Sequence, residues 1–324
     1  MPLHDVGYRA WEGAKSSMLL RWLIIAIVGI RLSFRTSWLS RTLFLSYVPA
    51  VGMAVVFFIY EQSIINSDMR PFVLGFVRFA GVPRDQIAMM MNDPAAFRHT
   101  VWSSLILVFM RYPQAILLLV VVGIVAPKLI SYDLRNRGYL LYFSKPILIW
   151  EYILGKACVV MFFLGLIVTA PALLLYVLGL CFSPDIGVIA VTWDIPLRVL
   201  LASVMLMVPV SMVALCCSAI TIESRFAAFT WFAFWVVGWT SYLVLLAGET
   251  AANPDKFQNQ GRFLDIHSRW EVLSPYHTLG RLQQWVFGTF PTEHWIGPYQ
   301  AIALITTSVS AFWIYRRIRG KLST

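Results

Sequence analysis

Asp265, His267, Glu271, His277, Glu293 and His294 crowd into one stretch, residues 248–298, and they are the residue types that ligate metals or hydrolyse esters. Their spacing supports neither chemistry. There is no His-Glu-x-x-His pair to grip zinc and no Ser-centred elbow to present a nucleophile, so neither a metal site nor a catalytic centre is expected there. The four cysteines, Cys158, Cys181, Cys216 and Cys217, lie in or beside apolar stretches without paired-ligand spacing. They are expected to be small core residues rather than a zinc site or a disulfide framework. Gly155-Lys156 resembles the end of a phosphate-binding loop, but Ala157 follows where Ser or Thr is needed, and Trp150 stands where the first glycine belongs. The chain is therefore not expected to hydrolyse ATP alone or to be an enzyme.

Two other groups of residues carry more information. The first is the polar run Ser131-Tyr-Asp133-Leu-Arg135-Asn-Arg137-Gly138-Tyr-Leu-Leu-Tyr142-Phe-Ser144-Lys145-Pro146, continuing to Glu151-Tyr152 and Gly155-Lys156. Asp133 suits a helix start, Gly138 allows a bend, and Ser144-Lys145-Pro146 reads as the start of the next helix. A short polar helix follows from this, suited either to a polar protein contact or to a solvated loop whose arginines set topology and touch anionic lipid. The second group is Trp231, Trp235 and Trp239, whose four-residue spacing puts three indoles on one helical stripe beside Thr230 and Thr240. The stripe could line a route for an amphiphilic substrate, or it could pack against a neighbouring helix or a second subunit.

The elements that position these residues belong to a membrane protein. Of the 324 residues, 59% are hydrophobic and 13% charged, against about 25% charged in an ordinary soluble domain. Apolar stretches at Thr42–Tyr60, Pro113–Ile130, Ala157–Leu180, Val199–Ile220, Ala227–Ala247 and Tyr299–Tyr315 each approach the roughly 20 residues needed to cross a bilayer. The fold class is thus an all-α polytopic membrane protein with six spans. Trp22–Ile30 is too short to span, and Arg21, Arg31 and Arg35 share one side of it. It reads as an interfacial amphipathic helix within the N-terminal segment 1–41, with a short extra span as the other reading.

An even number of spans puts both termini on one side. Segments 1–41, 127–156, 220–226 and 316–324 hold 16 Lys and Arg against 5 acids, whereas 61–112, 181–198 and 248–298 hold 10 against 11. The positive-inside bias therefore places both termini in the cytoplasm, with 316–324 as a basic tail and 42–315 as the transmembrane domain. The net charge of +10 is read as facing an anionic membrane surface, not nucleic acid. Within or beside the spans only Arg198 is ionisable, near an outer end where it can snorkel. A route free of buried charge disfavours a proton relay and suits apolar or amphipathic cargo. Pro49, Pro171 and Pro209 fall within spans, as static kinks or as hinges.

The 131–156 run resembles the type-2 permease class of ATP-binding-cassette exporters, in an Asp-Leu-Arg segment, a Leu-Tyr-x-Ser-x-Pro-like run and Glu-Tyr-x-x-Gly-Lys. Asp133, Leu134, Arg135, Tyr142, Ser144, Pro146, Glu151, Tyr152, Gly155 and Lys156 match, while Phe143 and Lys145 depart in kind but not in character. The likeness extends to the six-span layout, the elbow before the first span and Leu273-Ser274-Pro275 before the last. It implies a cytoplasmic coupling helix, with Arg137 among its polar residues, that docks on a separate cassette ATPase holding ATP and Mg2+. It implies a second permease subunit, identical or homologous, in a cytoplasmic membrane of bacterial type. It also implies short re-entrant helices over Trp270–Gly288 that close the outer exit, with Leu273, Ser274 and Pro275 as an outer gate. The reading of a different class is an ATP-independent scaffold or anchoring subunit.

Overall fold

In a computed structural model, the structure describes residues 20–79, 87, 89–90, 93–144, 147–252, 268–291 and 294–322. Every regular element among them is helical. Arg21–Phe34 (α1), Ser37–Leu45 (α2) and Val48–Ile65 (α3) are followed by Arg70–Phe79 (α4), Arg98–Arg111 (α5) and Pro113–Arg135 (α6). The short helix Tyr139–Phe143 (α7) leads to Ile149–Leu164 (α8) and Ala170–Phe182 (α9), then Val188–Thr192 (α10), Ile195–Ile220 (α11) and Ser224–Ala252 (α12). A 3-10 turn, Arg269–Leu273, introduces Pro275–Phe287 (α13), and Gly297–Leu322 (α14) ends the described chain.

Five helical stretches are long and apolar enough to cross a bilayer: Ser37–Ile65, Arg98–Arg135, Ile149–Phe182, Val188–Ile220 and Ser224–Ala252. This is the composition of a multi-pass membrane protein. The sixth expected span lies in α14, whose 26 residues are long enough. Its apolar character is diluted by Tyr299, Gln300 and the hydroxyl run Thr306-Thr307-Ser308 with Ser310, so it falls outside the set of five.

Helix α11 is central and packs against α6, α8, α12, α13 and α14. Its buried positions Val199, Ala202, Leu206, Val210 and Ala214 recur every three or four residues, while Leu197, Leu200, Leu201 and Val204 face outward. That is the helical period of a one-sided buried stripe, with the outward apolar face suited to lipid. Helix α1 leans on α8. A Cβ at Gly155 would meet the Trp22 carbonyl oxygen at 2.8 Å, and one at Gly29 would meet Val159 at 2.6 Å, so both glycines permit the close approach. At about 21 Å, α1 is shorter than a bilayer core.

Prolines inside the helices are answered locally. The turn Gly165–Thr169 widens to π geometry just before Pro171, and the Tyr47 hydroxyl donates to the Leu166 carbonyl at 3.0 Å. At Pro127 the carbonyl accepts from the Ser218 hydroxyl of α11 at 3.0 Å and from Ser131. The Leu166 carbonyl, five residues before Pro171, and the carbonyl of Pro127 itself are thus taken up by nearby hydroxyls.

The segment 61–112 is not a loop over its second half. Helix α5 runs into α6 through Tyr112-Pro113 as one helical stretch, Arg98–Arg135, and nearly all of α5 is buried. From the sequence it is expected as an outer segment forming a helical cap. Its Arg98 and His99 are instead paired inside the fold, as described next.

Candidate functional site

At the end of the molecule that carries Arg135, Arg137, Arg316 and Arg317, helices α6, α7 and α8 meet. Asp133 does not begin a helix, contrary to the sequence expectation; it lies in the last turn of α6. A helix C-terminus is negative and disfavours a carboxylate, so Asp133 needs compensation. Helix α8 supplies it: Lys156 Nζ lies 2.8 Å from Asp133 Oδ2, and the Tyr152 hydroxyl donates to the same oxygen at 2.7 Å. Lys156 Nζ also lies 5.4 Å from the ring centres of Tyr142 and of Tyr152. Burial raises the Tyr142 hydroxyl above its ordinary value, and the Asp133 charge adds to the effect. Three expected coupling residues, Asp133, Tyr142 and Lys156, therefore form one clamp that ties α7 to two long helices.

The bend also differs from expectation. Gly138 has ordinary helical backbone, and the left-handed residue is Arg137, at φ 53°. A non-glycine residue in that region is strained, by about 1–2 kcal/mol. The Gly138 N–H bonds back to the Asp133 carbonyl at 2.8 Å and closes the turn. Beyond it Arg135, Arg137 and Ser144 are exposed, as are Leu140 and Leu141, the latter at 77%. The Ser144 hydroxyl donates to the Leu141 carbonyl at 3.0 Å, and Glu151 caps α8 by accepting from the Leu148 N–H at 2.9 Å. Lys145 and Pro146 lie outside the described residues.

Toward the other end, a cavity of about 280 Å³ opens between α11, α12, α13 and α14. Trp231 and Trp235 of the indole stripe line it together with Leu273, Pro275, Thr278 and Thr306. The structure thus brings two of the three path candidates and two of the three gate candidates to one apolar space. Ser274 is fully buried beside them, at the N-cap of α13. Trp231 is also a packing residue: it is 1% exposed and its N–H donates to the Leu119 carbonyl at 3.0 Å. Trp239 turns to α13, 5.2 Å from the rings of Tyr276 and His277. Close approach at Gly238 sets this junction, because a Cβ there would sit 2.5 Å from Pro275 Cδ and 3.0 Å from the Leu273 carbonyl oxygen.

The expectation of helices without buried charge is overturned. Glu61, fully buried in α3, accepts from Arg98 at 2.9 Å and from the Trp102 indole at 2.9 Å. Glu271 accepts from Arg281 through two bonds of 2.8 and 2.6 Å and from the Tyr299 hydroxyl at 2.9 Å. Asp194 joins His99 at 3.0 Å to Arg198, whose guanidinium donates to the Phe287 carbonyl at the end of α13 at 2.7 Å. Arg198 therefore anchors a helix end instead of snorkelling freely. For the fully buried Glu61 and Glu271 a cation neutralises the carboxylate and a further donor bonds it, which is the condition for burying charge, while Asp194 and Arg198 stay partly exposed.

Glu271 and His277, first weighed as metal ligands, are committed elsewhere. Glu271 holds α13 to α14, and His277 is buried among Trp239, Tyr242 and Tyr276. Burial pushes its imidazole down to about 3, so it stays neutral. Asp265, His267 and Glu293 lie outside the described residues, among which no group of three or more His, Cys, Asp or Glu converges. The Glu61–Arg98 pair has no local signature, since its partners lie 37 positions apart, whereas Asp194–Arg198 has the four-residue spacing of a helical pair and could have been read from the sequence. No known protein family matches this chain, and no curated protein does either.

Proposed function

We propose that the chain is the membrane-spanning permease subunit of an exporter driven by a separate ATP-binding-cassette ATPase. In this reading α14 is the sixth span and both termini face the cytoplasm of a bacterial-type cell. Helix α1 is an interfacial elbow, and the Arg269–Leu273 turn with α13 re-enters the outer leaflet as the gate. ATP and Mg2+ reside in the partner, and a second permease subunit completes the pathway.

One observation carries the proposal: the Asp133–Lys156–Tyr152 clamp joins α6 to α8, and the partly exposed α7 packs its Tyr142 and Phe143 rings against Tyr152 of that clamp. A surface helix fastened rigidly to two long helices transmits a push, where a solvated loop would absorb it. Its exposed face mixes Arg135 and Arg137 with Leu140 and Leu141, the mixture of charge and apolar area found at protein contacts. The apolar cavity between α11 and α14 supports a lipid-like or otherwise amphipathic cargo. The stretches Ser37–Ile65 and Ser224–Ala252 are each only 17% buried, which leaves faces for lipid and for the second subunit.

Arg137→Ala and Leu141→Asp lie on the exposed face and leave the clamp intact, so they test docking without disturbing the fold. In detergent-purified complexes with a candidate ATPase encoded beside this chain, both variants are expected to lower co-purification and cargo-stimulated hydrolysis at least tenfold. Asp133→Ala, which strands Lys156, is expected to lower coupling as well. Unchanged assembly and hydrolysis in all three would defeat the reading. Capture of structural partners without any ATPase would favour a scaffold.

A further inference from the structure

The apolar chamber walled by α11, α12, α13 and α14 has a side that no described helix closes. Helices α12 and α14 both pack on α11, and α13 packs on all three, but no extensive contact joins α12 to α14 directly. Phe234 of α12 and Leu273 line the chamber and are also exposed, so they form its rim. Along the same two helices Val236 and Val237 of α12 and Leu304 and Ile305 of α14 face outward, and every one is apolar. Val210 and Trp231 line the chamber too, yet are at most 2% exposed, so they belong to its floor.

We infer that this chamber takes one hydrocarbon chain of a bilayer lipid, which enters sideways through the gap between α12 and α14. None of its described lining residues is ionisable, so it offers nothing to hold a charged headgroup. Its hydroxyls are engaged, with Thr278 donating to the Val272 carbonyl at 3.3 Å and Thr306 to the Ile302 carbonyl at 2.8 Å. The Trp231 N–H is bonded to the Leu119 carbonyl, which leaves the Trp235 N–H as the lining side-chain donor without an acceptor among the described residues. A buried water needs roughly two to four polar partners, and a chamber of about 280 Å³ lined this way does not supply them to the several molecules it would hold. An unfilled chamber forfeits dispersion contacts along its walls, and a chain restores them.

The route follows from the surroundings. In a multi-pass membrane protein, a rim continuous with outward apolar faces meets acyl chains before it meets water, and a chain crosses no polar barrier to enter. The inference sharpens the lipid-like cargo of the proposed function and rests on that reading for any role in transport. The binding itself needs only this chain in a bilayer, so it is tested without an ATPase and can fail while the exporter reading stands.

The test uses the full chain in phosphatidylglycerol nanodiscs that contain a small fraction of a phospholipid with a diazirine midway along one acyl chain. A second preparation carries the diazirine on the headgroup, and labelled positions are mapped by mass spectrometry after irradiation. The acyl probe is expected to label Val210, Val213 and Trp231 of the lining as well as the outward Leu200, Leu201 and Val244, whereas the headgroup probe leaves the lining unlabelled. In Thr306→Phe and in Val213→Phe, where the new ring occupies the chamber, lining labels should fall about tenfold while outward labels persist. Acyl labels confined to outward residues, equal labelling of the lining by the headgroup probe, or lining labels undiminished in both filled variants would each overturn the inference. If a filled variant does not fold, the contrast between the two probes on the unaltered chain decides the matter.

Discussion

Glu61 sits in an apolar helix with no water to solvate it, and its two oxygens are taken by Arg98 and the Trp102 indole. Removing one partner leaves a buried charge, and that asymmetry governs what mutations do here. Arg98→Ala is expected to destabilise the chain by about 3–5 kcal/mol. Adding Glu61→Gln to it should restore most of the loss, because a neutral amide still accepts from Trp102. Thermal unfolding of the single and double variants in one detergent checks this, and equal losses in both would mean that the charge is not the issue. The same logic gives His277 a pH signature. Its folded value lies well below the ordinary one of about 6.5, so the unfolded state binds the extra proton and stability falls as pH drops below about 6.5. The expected slope is about 1.4 kcal/mol per pH unit from this group, down to its folded value. His277→Phe keeps the stacking on Trp239 and Tyr242 and should flatten the stability profile between pH 6 and 4. A profile as steep as that of the unaltered chain would show that other groups set it. The Glu61 contacts were not legible in the sequence, because partners 37 and 41 positions apart leave no spacing to read.

The apolar helices themselves were legible, because lipid imposes a length and composition that stand out over any local detail. Five expected spans fall inside the five apolar stretches, and the Trp22–Ile30 segment forms a short helix as expected. What the sequence misplaced were elements whose polar residues are answered by distant ones: α5, assigned to an outer helical cap, and Asp133, taken for a helix start. Trp231 shows the same limit, since four-residue spacing gave the stripe but not whether it faces a cavity or a carbonyl, and it does both. Between elements, Gly238 matters most for the cavity, because Pro275 and the Leu273 carbonyl occupy the space a side chain would need. Gly238→Val should push the start of α13 away at a stability cost of about 1–3 kcal/mol. It should also open the cavity, so that a cysteine at Thr278 reacts with a small thiol reagent several-fold faster than in the Gly238 background. An unchanged rate would mean that α13 does not close that space.

For the whole molecule, the charge asymmetry and the clamp make one joint demand on topology. The described basic ends of α6 and α14 lie together, as shown by Trp150 at the start of α8 stacking on Tyr315 of α14 at 5.2 Å. A single placement in the bilayer must therefore put Arg135, Arg137, Arg316 and Arg317 on the same side, which the proposed reading takes as the cytoplasmic one on the positive-inside bias. Asn136 is exposed next to the strained Arg137 and tolerates substitution without loss of a side-chain contact. In a background lacking the four native cysteines, Asn136→Cys is expected to resist a membrane-impermeant maleimide in intact cells and to label fully in inverted vesicles. A cysteine at Asp185, exposed between α9 and α10 at the opposite end, should show the reverse. If both label from the same side, an even number of crossings lies between them, and α7 and the α9–α10 turn share a compartment. If Asn136→Cys alone labels from outside, the molecule is inverted, α7 meets no cytoplasmic motor, and the exporter reading fails while the fold stands.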